Sequence, residues 1–224
     1  MLFTIPFLLA VGVVLPVLAW SSHRWLRTTN PTQEALPSAR ALGLQTVLLQ
    51  ALIAGLAGLA VWGAGLNVTW LSSFTAASAL IATGILVVAI VVAWLEGRRP
   101  LGPGDEMRRT LRSVGATDPV WLLTITAAAV SEEFAYRGVL TVILSEPFGI
   151  AIGSVGSAVV FGVSHFGQGW RGAAYSAVFG LSMQSLILVS GGLSLAIIVH
   201  LSYDLCALEL GRRLAARERE EPAA

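Results

Sequence analysis

Residues 119–144 read PVWLLTITAAAVSEEFAYRGVLTVIL. A bilayer-crossing helix takes about 20 mainly apolar residues. This stretch supplies them while holding Glu132, Glu133 and Arg137 near its middle. A charge at that depth costs about 2.5–3.5 kcal/mol on insertion scales, so such groups should face the protein interior and pair with one another. The rest of the chain supports reading the segment as a span. Of its 224 residues, 55% are hydrophobic and only 12% charged, and the mean hydropathy is +0.77. An ordinary soluble domain carries about 25% charged residues. The apolar content excludes disorder. Fourteen basic residues against 13 acidic ones leave +1 and no continuous basic face, which argues against a nucleic-acid partner. The lone Cys206 excludes a disulfide framework and a CxxC metal site.

Working outward, seven stretches qualify as spans, near 2–20, 42–66, 70–95, 119–144, 147–166, 172–190 and 192–210. The first has neither a positive n-region nor a small-x-small cleavage site, and reads as a retained anchor. Asp118-Pro119 supplies an N-cap and a first-turn proline for the fourth span, and Ser145-Glu146-Pro147 does the same for the fifth. The arginines check the count. The chain has no lysine, and with seven spans every arginine but Arg137 falls in a loop or tail on one side. The positive-inside rule then places the N-terminus outside and the C-terminus in the cytoplasm.

The expected fold is therefore all-α, a polytopic membrane helix bundle of about seven spans. Residues 1–224 read as one domain: supporting spans over 1–95, a cytoplasmic loop over 96–118, a core over 119–210 and a cytoplasmic tail over 211–224. Within the loop, Met107, Leu111 and Val114 share a helical face and Arg108, Arg109 and Arg112 surround it, the pattern of an interfacial helix on anionic lipid. The first three spans hold no ionisable residue between their ends and are assigned support. His23 reads as a juxtamembrane loop residue without a partner. Gly167, Gly169 and Gly172 around Trp170 read as a flexible loop, with a re-entrant turn as the alternative.

Away from the span ends, six strongly ionisable or imidazole side chains remain inside spans: Glu132, Glu133, Arg137, His165, His200 and Asp204. Glu133 and Arg137 stand four apart and can pair on one helix face. Glu132 is rotated about 100° from Glu133 and keeps no built-in countercharge, which suits it to general-base work. His200 and Asp204 repeat the spacing of four, as do Phe161 and His165. A carboxylate, two imidazoles and an Asx from three helices can hold and activate a water. The histidines would orient it, bind a metal or stabilise an oxyanion. Two His plus a carboxylate is also a three-ligand zinc set, so Glu132, His165 and His200 are the candidate ligands of zinc or another divalent metal, and the spacing does not choose between metal-activated and glutamate-activated water.

The motifs SEEFAYRGVL, FGVSH and HLSYD, in that order on separate apolar helices, resemble those of the CPBP intramembrane proteases, relatives of the type II CAAX prenyl endopeptidases also called the Abi family. The resemblance covers roughly residues 118–210. It implies a helical intramembrane core that hydrolyses a peptide bond near the cytoplasmic leaflet, in a membrane-associated or lipidated peptide or protein. It implies catalytic roles for Glu132, His165, His200 and Asp204, and bracing by Glu133 and Arg137. Asp204 stands where the family often has Asn, which adds a negative charge. Phe161 is assigned to packing. The lysine-free, compact chain is read as a bacterial cytoplasmic-membrane protein. Two other classes are carried beside the protease: a non-catalytic immunity or scaffold protein, and a proton-coupled transporter, since intramembrane carboxylates and histidines also form proton relays.

Overall fold

The computed structural model describes residues 3–29, 36–99, 114 and 118–220. The expected interfacial helix within 96–118 lies almost wholly outside the described residues. Among the described residues the structure is helical, without strands. We label α1 (Thr4–Thr29), α2 (Ala39–Ala64), α3 (Ala76–Gly97), α4 (Pro119–Glu132), α5 (Thr141–Ser164), α6 (Gly169–Ser190) and α7 (Ser194–Glu220). A π-helical segment, Glu133–Leu140, joins α4 to α5 without interruption.

The helices start where local chemistry lets them. Ser38 caps α2 by accepting from the Ala41 amide, Thr75 and Ser78 form a capping box on α3, and Asp118 accepts from Val120 with Pro119 in the first turn of α4. Gly65 and Gly191 end α2 and α6 in the left-handed conformation, with φ of 62° and 78°.

Among the described residues, six helical stretches are long and apolar enough to cross a bilayer, where the sequence reading expects seven. The fourth of them is Pro119–Ser164, 46 residues long. It is not straight. The chain passes through Pro147 and breaks at Gly149, whose φ of 79° and ψ of 161° belong to no helix. Beyond that point it folds back. Ser145 meets Gly153, the Ser157 hydroxyl donates to the Tyr136 carbonyl at 2.7 Å, and the Tyr136 hydroxyl to Ser164 at 3.0 Å. The returning arm, residues 150–164, is about 22 Å long at 1.5 Å per residue, short of the ~30 Å hydrocarbon core. The expected fifth span is thus half of a helical hairpin, and it begins at Gly149 rather than at Pro147.

The helices α2 and α4 run parallel. Arg40 and Asp118 pair at 3.6 Å at their starting ends, and the Thr124 hydroxyl lies 3.1 Å from the Gly43 carbonyl. Gly43 allows this approach: a Cβ there would stand 2.9 Å from Val120. One core cluster joins Phe7 and Val11 of α1, Ile53, Ala57 and Ala60 of α2, Tyr136, Val139 and Leu140 of the π segment, and Phe161 of α5. A second joins Ala82 and Ala89 of α3 to Phe179, Met183 and Leu186 of α6 and Leu195 and Val199 of α7. The non-helical residues 66–75 are tied to the start of α7 by the Leu193 amide on Thr69 and the Ser194 amide on Trp70.

Candidate active site

The site lies where α2, the π segment, the end of α5 and α7 meet. Gln50 and Glu132 face each other about 17 Å along α2 from Ala39, close to the middle of that helix. Glu132 closes α4, and the backbone enters π geometry at the next residue. A π segment widens the turn, frees carbonyls and recurs at functional sites. Here the Tyr136 carbonyl takes hydroxyls from both Thr141, at 2.9 Å, and Ser157.

The structure brings the six predicted side chains together. The Nε2 atoms of His165 and His200 each lie 3.9 Å from Glu132 Oε2. His200 Nε2 also lies 3.7 Å from Asp204 Oδ2 on the same helix face. The other nitrogen of each ring is tied down: His165 Nδ1 is 2.8 Å from the Phe161 carbonyl, and His200 Nδ1 is 2.8 Å from Glu133 Oε1. A carbonyl oxygen and a carboxylate accept, so both Nδ1 atoms donate, and both Nε2 atoms are aimed at Glu132. Glu133, Arg137 and His200 are buried, whereas His165 and Asp204 keep about a fifth of their side-chain surface. The open edge of the site is therefore the His165–Asp204 side.

Glu133 bridges two groups. It accepts from His200 and pairs with Arg137, whose Nη1 is 3.4 Å from Oε1, as the spacing of four predicts. The guanidinium also lies 4.1 Å over the Phe161 ring, and Phe161 packs edge-on to Tyr136 and against His165. Phe161 thus packs under the arginine with its ring and anchors a histidine with its carbonyl.

The depth of His165 follows from the hairpin. The returning arm passes the Tyr136 backbone at Ser157 and runs on to Ser164, ending level with Glu132, so the turn after His165 is partly buried in the bundle. Residues Phe166–Gln168 make a 3-10 turn, and Gly169, at φ 79°, opens α6. This replaces the flexible loop expected there. His23 is also not a loop residue: it lies in α1 and packs edge-on against Phe166 at 5.4 Å.

Sequence reasoning missed Gln50. Its Nε2 donates to Glu132 Oε1 at 2.7 Å, and its Oε1 accepts from the Ser131 hydroxyl. The second span therefore does more than support. The available signal was an amide in the apolar run LLQALIAGL, which a search for ionisable groups passes over.

Glu132 Oε2 and the Nε2 atoms of His165 and His200 are the atoms a divalent metal would take as ligands. A tetrahedral zinc at about 2.0–2.2 Å from its ligands holds neighbouring donor atoms about 3.4 Å apart. Both imidazole–carboxylate separations exceed that, and no cluster of three His, Cys, Asp or Glu among the described residues has ligating spacing.

These motifs fall inside a recognised sequence family. Residues 116–206 match the type II CAAX prenyl endopeptidase Rce1-like family. That segment runs from just before α4 through Asp204 and agrees with the CPBP resemblance of the three motifs. Comparison with curated proteins and with solved structures finds no match. With six apolar helical stretches of bilayer length among the described residues, the chain is an integral membrane protein. The Rce1-like match on those helices supports an intramembrane protease.

Proposed function

We propose that the protein is an intramembrane endopeptidase in which Glu132 activates a water that the two histidines help to hold. The observation carrying this reading is the pair of 3.9 Å separations from Glu132 Oε2 to the Nε2 atoms of His165 and His200, with both Nδ1 atoms anchored. A separation of that size is too long for a direct hydrogen bond and leaves room for one bridging water. Glu132 takes a proton from the bridging water, and the hydroxide attacks the carbonyl carbon of the scissile peptide. A histidine carrying a proton on Nε2 donates to the tetrahedral oxyanion. Glu132 then returns its proton to the departing amine nitrogen as the C–N bond breaks, leaving an acid and an amine. Asp204 orients His200 from the open edge. No step is routed through a metal.

The substrate reaches the site within or beside the membrane, so a membrane-anchored or lipidated peptide is the expected class. Arginines at the chain ends of α1, α3 and α7 support an orientation with that end of the bundle in the cytoplasm and the N-terminus outside. Reporter fusions at the two termini test this orientation, and a C-terminal fusion active outside the cytoplasm overturns it.

The activity test uses purified full-length protein, a membrane-anchored fluorogenic peptide library and a farnesylated peptide ending in a CAAX sequence. Cleavage of one of these by the native protein, reduced at least ~10³-fold in Glu132→Gln with folding retained, is the expected result. Undiminished cleavage by Glu132→Gln overturns the assigned base.

A further inference from the structure

We propose that Gln50 is a positioning residue for the reaction: its side-chain amide occupies Oε1 of Glu132 and thereby makes Oε2 the oxygen that works between the imidazoles. The inference rests on the proteolytic reading of the site and adds to it a group from outside the Rce1-like segment.

The orientation of the amide follows from chemistry. A carboxylate accepts and does not donate, so the Gln50 nitrogen must face Glu132. The carbonyl end then turns away and receives the hydroxyl of Ser131. Ser131 precedes Glu132 in the chain, so one amide grips two consecutive residues at the last turn of α4, just before the backbone changes to π geometry. Gln50 is buried, and its Nε2 bond of 2.7 Å has the length of a charge-assisted contact. The two oxygens of Glu132 therefore divide: Oε1 is bonded to the amide, and Oε2 lies 3.9 Å from each Nε2. Without the amide the carboxylate is free to turn about its terminal torsion, which has no sharp preferred setting. The close approach of α2 to α4 at Gly43 is what carries Gln50 to this point.

A bond between two helices can also be mere packing, and the test separates the two roles. Gln50→Met keeps the length of the side chain and removes the donor, and Gln50→Glu keeps the shape and lets one proton be shared with Glu132. On the probe peptide cleaved by the native protein, Gln50→Met is expected to lose about 10- to 100-fold in kcat, the size of one hydrogen bond to a charged group, with KM held within about twofold. Gln50→Glu should recover part of that loss at low pH, where the shared proton is in place. A second readout needs no activity. Labelling of Glu132 by dicyclohexylcarbodiimide, which attacks protonated carboxyls in apolar surroundings, should run faster in Gln50→Met than in the native protein at the same pH. An unchanged kcat, or a parallel fall of kcat, KM affinity and unfolding temperature without recovery in Gln50→Glu, overturns the proposal, as does unchanged labelling. If the native protein cleaves no probe while labelling still depends on Gln50, the proteolytic reading fails and the coupling of Gln50 to Glu132 stands.

Discussion

Two adjacent carboxylates address opposite sides of one imidazole. Glu133 holds Nδ1 of His200 at 2.8 Å, and Glu132 stands 3.9 Å from its Nε2. They differ in what else surrounds them. Glu133 is wholly buried and carries the ion pair to Arg137, which is itself buried. Neutralising one member of such a pair leaves an uncompensated charge, a loss of about 3–5 kcal/mol. Glu133→Gln is therefore expected to lower the unfolding temperature in detergent markedly. Glu132, whose partner on α2 is a neutral amide, should tolerate Glu132→Gln with little change in unfolding while losing activity. Equal thermal stability of the native protein and Glu133→Gln would show that the ion pair does not hold the fold. The extra negative charge of Asp204 sits at the open edge, and an Asn side chain can orient His200 in its place, so Asp204→Asn is expected to keep activity within about tenfold and the fold intact; a complete loss of cleavage would show that the charge itself is required.

The helical hairpin is the element that sets the depth of His165. Its returning arm, α5, packs closely on the first arm and on α6 because small residues line both seams. A Cβ on Gly153 would stand 2.8 Å from the Ser145 backbone nitrogen, and one on Gly162 would stand 2.5 Å from the Ala173 carbonyl oxygen of α6. Backbone cannot yield as a side-chain tip can. Gly162→Val is therefore expected to destabilise by about 1–3 kcal/mol through overpacking and to reduce cleavage, because His165 lies three residues further on. Gly156 is the control: a Cβ there meets only the tip of Leu144, at 3.2 Å, so Gly156→Ala should behave as the native protein. Thermal unfolding and cleavage measured on both variants check this pair, and a tolerated Gly162→Val would count against the tight seam.

The whole bundle, not its C-terminal part, makes the site. The Rce1-like segment supplies the charged groups, but α2 covers Glu132 and α1 completes the apolar core around the π segment with Phe7 and Val11. A chain beginning after residue 99 would expose those apolar faces and leave Glu132 without its amide. It is expected to accumulate poorly and to elute as aggregate in detergent gel filtration, and a monodisperse, active fragment would contradict the dependence on α1 and α2.

Apolar length, arginine placement and the spacings of four were readable residue by residue, because each is a property of one helix or one loop. They point to a helical membrane bundle and to the pairing of Glu133 with Arg137 without any knowledge of neighbours. The reversal at Gly149 was not readable, since a glycine near a proline in an apolar run fits a loop between two spans as well as a bend inside a hairpin. Gln50 was hidden for a different reason: a buried amide also needs a partner, but a search confined to ionisable groups passes over it, and nothing beside it in the chain names that partner. Which helices lie side by side, how deep the turn after His165 sits and which oxygen of Glu132 faces the imidazoles are settled by packing between segments far apart in the chain, where close approach at small residues, rather than local pattern, selects the partner.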